Sequence, residues 1–421
     1  VDGSYYVVGP VTITSISPAF NGSGNGSMLN PRPVPAPNGV VYSGYDTRDN
    51  YNAALTVQTP LVVPNDGQIK SLASTISNLT GGPLPDPYGQ NNYSYLREIR
   101  ILTIEPSVPP ADSFRPNYLG LTKVRFRRSE TDLAKFNIGL DPNRYPAQIP
   151  EPAMISRIVN GGSFGALSGN WGDRYIRPSL ISPDYGQYFA RLTGDLMLYI
   201  LHLNVPYREQ VLIKLIQYGI DIAGATLESA GFYDRDGGQT NGHKGPVFML
   251  THALNPGAAK SALMGILSTH PFSENRQITD SVPYYTPNTG YAFGGFNSTG
   301  AIEALHPSTY NSGQFHGVRY KYCCTLTVFG APWLAVSLLN AWDVWGSDRF
   351  REYVWGYYEI ENLNAQASTL DYYIGILNQS LPSNQQISTV GNWFVSPQGH
   401  GTHYSDLARV VWSYEAAAHA P

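Results

Sequence analysis

Residues Pro206–Leu227 read P-Y-R-E-Q-V-L-I-K-L-I-Q-Y-G-I-D-I-A-G-A-T-L, and their period sets the character of the C-terminal half. Val211, Leu212, Leu215, Ile216 and Ile220 recur at spacings of one, three and four. That is the apolar stripe of a helix with 3.6 residues per turn. Pro206 suits a first helical position, where its missing N–H costs nothing. Working outward, helical stretches are predicted at Tyr188–Leu203, Val247–Leu254, Ala258–Leu267, Pro332–Trp345, Asp348–Tyr358 and Ser405–Ala418. Long loops rich in Gly, Tyr, Asn and His separate them, and such loops in a compact domain are usually functional or disordered. Helices in this succession predict an (α/α) helical toroid or partial barrel over residues 187–421. No internal repeat supports it, so helix order carries that expectation.

The other end has a different period. Tyr5–Ile16 (Y-Y-V-V-G-P-V-T-I-T-S-I) is β-branched and aromatic, with alternating Val-Thr-Ile-Thr-Ser-Ile, a strand pattern. Further strands are predicted at Ala54–Val63, Gln68–Ser77, Glu98–Ile104 and Leu121–Arg127, with turns at Pro64–Gly67 and Gly81–Pro83. Phe20–Tyr45, rich in Asn, Gly and Pro, reads as a long loop. Short strands punctuated by turns predict a β-sandwich over residues 1–130. Residues 131–186, with Pro142, Pro146, Pro150 and Pro152 followed by a run of glycines, read as a linker packed on the next domain. The expectation is an α+β multidomain chain. Its 421 residues fit two or three domains at roughly 100–200 residues each.

Composition narrows the function classes. Charged residues are 14% of the chain and the net charge is −4, with no basic stripe of the kind a nucleic-acid binder shows. The short cluster Lys123, Arg125, Arg127 and Arg128 reads as a solvated strand or turn. No run approaches the ~18 apolar residues of a membrane span. Val1 at the first position fits a chain released from a signal peptide. Low charge with abundant Tyr, Asn and Gly points the same way, to a secreted, extracellular protein. Cys323 and Cys324 are the two cysteines. They make no disulfide framework and are too few for a structural zinc site; buried thiols are the expectation. His400-x-x-His403 is flanked by Gly399 and Gly401, which favours a loop over a metal-binding helix, so no metal is expected. The sequence calls for no cofactor. A Ca²⁺ held by loop carbonyls and Asp would leave no regular motif, and EF-hand spacing is absent.

The densest polar stretch is Tyr233–Pro246, Y-D-R-D-G-G-Q-T-N-G-H-K-G-P, between two apolar helices. Its glycines let backbone approach a ligand, and Asp234, Arg235, Asp236, Gln239, Asn241, His243 and Lys244 offer a sugar's polar partners. A second stretch, Phe315–Cys324, holds His316, Arg319, Tyr320 and Tyr322; a third holds His306. Two chemistries fit. β-Elimination on a uronic acid needs a neutralised carboxylate, a base and an acid. Asn241 and Arg319 would bind the carboxylate, His243 or Tyr320 would take the proton, and Tyr322 would return one. Glycoside hydrolysis instead needs paired carboxylates, about 5–5.5 Å apart for retention, drawn from Asp234, Asp236, Glu274, Asp280 and Glu303. The 30 Tyr and 7 Trp suit stacking on sugar rings, with Trp333 a candidate.

Several of these segments together carry a resemblance. Tyr5–Ala19, N-G-S-M-L-N-P-R (Asn25–Arg32), G-Y-D-T-R (Gly44–Arg48), I-Q-Y-G-I-D (Ile216–Asp221), G-G-x-x-x-G-x-K-x-P (Gly237–Pro246) and Y-x-x-C-C-T (Tyr320–Thr325) together resemble a family of secreted bacterial proteins of uncharacterised function. The arrangement is similar to helical-toroid polysaccharide lyases, although those place the β domain last. The family loop reads Gly-Gly-His-x-x-Gly-Arg-Lys; here Gln239 stands at the His place and His243 at the Arg place, with Lys244 kept. A base at that His would be missing, which favours a non-catalytic member. The resulting expectation is an extracellular carbohydrate-active protein, a lyase on a uronic-acid polysaccharide. Its alternatives are a glycoside hydrolase, or a non-catalytic glycan-binding or self-assembling structural protein that forms an oligomer or filament.

Overall fold

The computed structural model describes residues 1–20, 26–31, 34–35, 41–42, 54, 56–77, 96–140, 152–160, 186–228, 241–281, 290–293, 325, 328–356, 388–390 and 393–395. They form a mixed α+β fold, with small sheets first and nine α-helices among the described residues after them. The N-terminal strands are β1 (Tyr5–Val8), β2 (Val11–Ile13), β3 (Gly26–Leu29), β4 (Val34–Pro35), β5 (Val41–Tyr42), β6 (Leu61–Val63), β7 (Lys70–Ser77) and β8 (Leu96–Glu105). The main sheet has the order β1-β8-β7-β3, with β1 parallel to β8 and the other pairs antiparallel. β2–β6 and β4–β5 are two-stranded ribbons.

Three expectations change here. The predicted strand Tyr5–Ile16 divides between two sheets. β3 lies inside the stretch read as loop, because its backbone pairs with β7 from Gly26↔Thr75 to Leu29↔Leu72 and tertiary pairing overrides weak propensity. Leu121–Arg127 forms no ladder. Its amides are met irregularly instead: Val124 N–H donates to Asn117 Oδ1 at 2.8 Å and Phe114 N–H to Phe126 O at 2.9 Å. The described residues place no second sheet against the first. Ile99, Ile101, Ala73 and Met28 line one sheet face and join a single hydrophobic cluster with Phe114, Tyr118, Phe126 and the helices.

The helices are α1 (Pro152–Asn160), α2 (Gly186–Tyr199), α3 (Arg208–Glu228), α4 (Lys244–Ala253), α5 (Ala258–Thr269), α6 (Ser273–Arg276), α7 (Gly330–Leu338), α8 (Trp342–Trp345) and α9 (Asp348–Gly356). α4 and α7 are buried almost all round, the mark of central helices. α3 packs on α4, α2 on α7, and α5 on α4. Gly219 permits the first contact: a Cβ there would sit 2.2 Å from Pro246 O. α2 stops at Tyr199, short of the predicted Leu203, because Leu201 O and Leu203 N–H bond to Leu140. α3 starts after Pro206, and Tyr207 (φ +57) accepts the first helical bond through its carbonyl, from Val211 N–H. The predicted helix Pro332–Trp345 breaks at Asn340, φ +47, into α7 and α8. The predicted Ser405–Ala418 helix lies outside the described residues. The helices trace no closed ring of pairs among the described residues. β9 (Ile278–Asp280) and β10 (Tyr291–Phe293) form a hairpin beside α9, and β11 (Ser388–Val390) pairs with β12 (Trp393–Val395).

Candidate functional site

The polar stretch before α4 ends inside the protein. Asn241, His243 and Lys244 are 0%, 1% and 0% exposed. Gly242, at φ +90, makes the turn, and its Cα lies so close to α2 that a Cβ would be 2.5 Å from Ala190 Cα. α4 begins without a cap of its own, since His243 makes no side-chain cap bond. The cap comes from α6. Glu274 Oε1 accepts from Gly242 N–H at 2.8 Å, and the Lys244 amide also bonds this carboxyl group. A carboxylate is favoured at a helix N-terminus, where free N–H groups and the helix dipole meet it.

Lys244 continues the network. Its ammonium donates to Asn275 Oδ1 and lies 4.5 Å from the centroid of the Trp345 ring, a cation–π distance. Asn275 Nδ2 donates to Leu267 O and His270 O, both at 2.9 Å. Gln277 Nε2 donates to Asn241 Oδ1 at 3.1 Å, and the His243 ring lies 5.2 Å from that of Phe189. Burial pulls the Lys244 amine down to about 7, against the pull of Glu274, and burial pushes the Glu274 carboxyl up.

The depressed Lys244 amine has a signed consequence. Its folded value, about 7, lies below its ordinary 10.5, so between those values the unfolded chain binds more protons. The cost of burying the ammonium is full below pH 7 and is relieved as pH rises toward 10.5. Wild type should gain on Lys244→Met up to about 1.4 kcal/mol per pH unit across that window. Urea unfolding of both proteins at pH 7, 8, 9 and 10 measures it, and parallel curves would rule the effect out.

Asn275 connects this buried network to the surface. It lines a cleft of about 500 Å³ together with Ser268, Thr269 and His270 at the end of α5, Arg276, Tyr291 and the α8–α9 joint Gly346–Arg349. That volume is typical of ligand pockets. Arg349 pairs with exposed Asp280 at its rim. The Tyr291 phenol is pushed up by burial and by Glu352, Asp280 and Asp348, so it holds its proton.

The sequence-derived candidates distribute as follows. Asn241, His243 and Lys244 come together, facing inward. Trp333 is separate and fully buried, donating Nε1–H to Arg351 O at 2.7 Å and stacking on Trp355. Burial keeps all four from surface contact with a polymer. Asp234, Arg235, Asp236, Gln239, His306, His316, Arg319, Tyr320 and Tyr322 lie outside the described residues, as do Cys323, Cys324, Glu303, His400 and His403. Of the hydrolase candidates, Glu274 is buried and Asp280 exposed. The cleft residues His270, Asn275, Arg276, Tyr291 and Arg349 were not singled out from sequence; the one local signal was Pro271, a helix stop that leaves polar residues at the end of α5. Among the described residues no three His, Cys, Asp or Glu gather as a metal site would need, and no helix is long and apolar enough to cross a membrane. The sequence matches no family model, and comparison with curated proteins and with solved structures yields no match.

Proposed function

We propose that this is an extracellular carbohydrate-active protein that takes a uronic-acid-containing polysaccharide in the 500 Å³ cleft and cleaves it by β-elimination. The observation that carries the reading is the joint presence in one cleft of two guanidiniums, an imidazole and a protonated phenol. Arg276 pairs with the uronate, and Arg349 joins it by exchanging Asp280 for the substrate carboxylate; both stabilise charge developing on it. His270 accepts the C5 proton, and Tyr291 protonates the leaving oxygen. Asn275, fixed from behind by Lys244, presents a rigid floor. A helical toroid completed by the remaining chain is the architecture this reading goes with. Glycan binding without turnover is the second reading, favoured by the burial of Asn241 and His243 and by Gln239 at the family's His position.

The test incubates the protein with polygalacturonate, alginate, hyaluronan and heparan sulfate, following ultraviolet absorbance of the unsaturated uronide and new reducing ends together. Wild type should give both signals, and Tyr291→Phe should lower kcat about 100-fold or more at similar KM. Reducing ends without absorbance would move the assignment to a hydrolase. Retention on an immobilised polymer without either signal would leave the binding reading. No signal and no retention would end the carbohydrate assignment for this cleft.

A further inference from the structure

A second pocket lies at the far end of the main sheet. Along β8 the side chains on the core face are Ile99, Ile101, Thr103 and Glu105, since alternate residues share a face. The first two join the hydrophobic cluster. The last two are polar yet still buried, so the core ends in a polar pocket. Its volume is about 120 Å³, room for about four waters or for the hydroxyl edge of one sugar ring. Tyr6 pairs with Thr103 across the parallel ladder and therefore shares its face. The chain then turns at Pro109–Pro110 and brings Ser113 and Arg115 back across the opening.

Three polar atoms in the lining have no hydrogen-bond partner among the described residues: Thr103 Oγ1, Ser113 Oγ and Arg115 Nε. Thr103 is 2% and Arg115 4% exposed, so bulk water does not bathe these groups. Buried polar atoms in native proteins almost always have partners, and three gathered in one small pocket mark a place where a ligand supplies them. Arg115 shows the division clearly. Its Nη atoms bond Asp221 and Pro116 O, while Nε, on a residue of the pocket wall, makes no bond among the described residues. Asp2, which receives the Ser4 hydroxyl, adds acceptor capacity to the wall. Outside, Tyr6 is 49% exposed and stands at the mouth, while Tyr5, opposite Leu102, points to the other face of the sheet.

We propose that this pocket binds a neutral saccharide, one sugar hydroxyl edge entering against Thr103, Ser113 and Arg115 while a ring stacks on Tyr6. Hydroxyls both donate and accept, which this mixture of orphaned donors and acceptors requires. Aromatic faces with polar tips suit a pyranose. Glu105 is neutralised by Arg125 and Arg115 by Asp221, so the wall offers an anion no unpaired side-chain cation, and the Asp2 carboxylate opposes one, which separates this ligand from the acidic polymer proposed for the helical cleft. The site is independent of that cleft and stands if the cleft assignment fails.

The test titrates the full chain with cellotetraose, xylotetraose and mannotetraose by calorimetry and saturation-transfer NMR, with trigalacturonate and a decaproline peptide as comparators. At least one neutral saccharide should bind. Tyr6→Ala should weaken it about tenfold or more, and the near-isosteric Thr103→Val about threefold to tenfold. Arg276→Ala should leave it unchanged. Circular dichroism checks that each variant folds; Tyr6 is exposed enough to be removed safely. Absence of binding to every neutral saccharide would overturn the proposal, leaving a pocket of ordered water. So would binding indifferent to Tyr6 and Thr103, or Tyr6-dependent binding of decaproline alone, which would make it a peptide groove.

Discussion

Asp221→Ala is expected to remove about 3–5 kcal/mol of unfolding free energy, read as a lower urea midpoint with an unchanged slope. Asp221 sits in the middle of α3, with its side chain 1% exposed, facing Arg115 at 2%. Nη1 donates to Oδ1 at 2.9 Å and Nη2 to Oδ2, a bidentate pair. Tyr118 N–H donates to Oδ1 at 3.2 Å as well. Burial pushes the Asp221 carboxyl up while Arg115 opposes it; burial disfavours the Arg115 cation, but the facing carboxylate overrides this and holds it protonated. The pair survives because each charge has its partner. Removing one leaves the other stranded in the core, which is the costly event.

The position of the pair raises the stakes. Arg115 lies on the 114–120 segment, wholly buried between the sheet and α3, and Gln217 Nε2 donates to Arg115 O at 3.0 Å. Loss of Asp221 therefore loosens the joint between the β and helical parts. The surface pair Arg349–Asp280 is the control. Both partners are well exposed, so Asp280→Ala should cost less than about 1 kcal/mol. The double variant Arg115→Met with Asp221→Leu should recover most of the loss, since a matched apolar pair is often close to neutral. Equal small effects at Asp221 and Asp280 would show that water reaches the buried pair.

These features differ in how far the sequence displays them. α3, α5 and α9 are legible because their stripes repeat over two or more turns. β7 and β8 are legible because Ile, Leu and Thr cluster between turn residues. β3 is not, because Gly26 and Ser27 have little strand preference and are held by β7. Asn117 is not either: it substitutes for a strand partner by bonding Val124 N–H, Leu119 O and Thr122 O, and nothing in Leu121–Arg127 announces that. The candidate site divides the same way. The glycines and charges of residues 233–246 stand out in one stretch, but whether such residues face solvent or core depends on α2 and α6, far away in sequence. The cleft is harder still. It is built from residues 268–271, 275–276, 291 and 346–349, each ordinary by itself, and only the packing of α5 on α8 and of α6 on α9 brings them to one place.

Gly242 joins the buried network to the fold, and Gly242→Ala should cost about 2–5 kcal/mol, the sum of two effects. At φ +90 a side chain is strained, by about 1–2 kcal/mol in the left-handed region. The new Cβ would also lie 2.5 Å from Ala190 Cα and 2.9 Å from Ala190 N. Those atoms belong to the backbone of α2 and cannot swing aside, so the overpacking adds about 1–3 kcal/mol. Gly265 is the internal comparison. It lies in α5, where an added Cβ would meet nothing within 4 Å and φ is not positive, so Gly265→Ala should stabilise by about 0.4–1 kcal/mol. Opposite signs at two glycines in one protein, measured by the same urea titration, would separate close approach from generic glycine entropy. The Gly242 variant carries a second readout. Its amide holds Glu274 and its carbonyl receives the Thr193 hydroxyl at 3.4 Å, so displacing it disturbs the cap of α4, then Lys244, then Asn275 in the cleft floor. Below the unfolding transition, affinity for the polymer proposed for the cleft should fall in Gly242→Ala and stay unchanged in Gly265→Ala. Unchanged affinity in both would disconnect the buried network from the cleft, and Asn275 would then hold its place through Leu267 and His270 without help from Lys244.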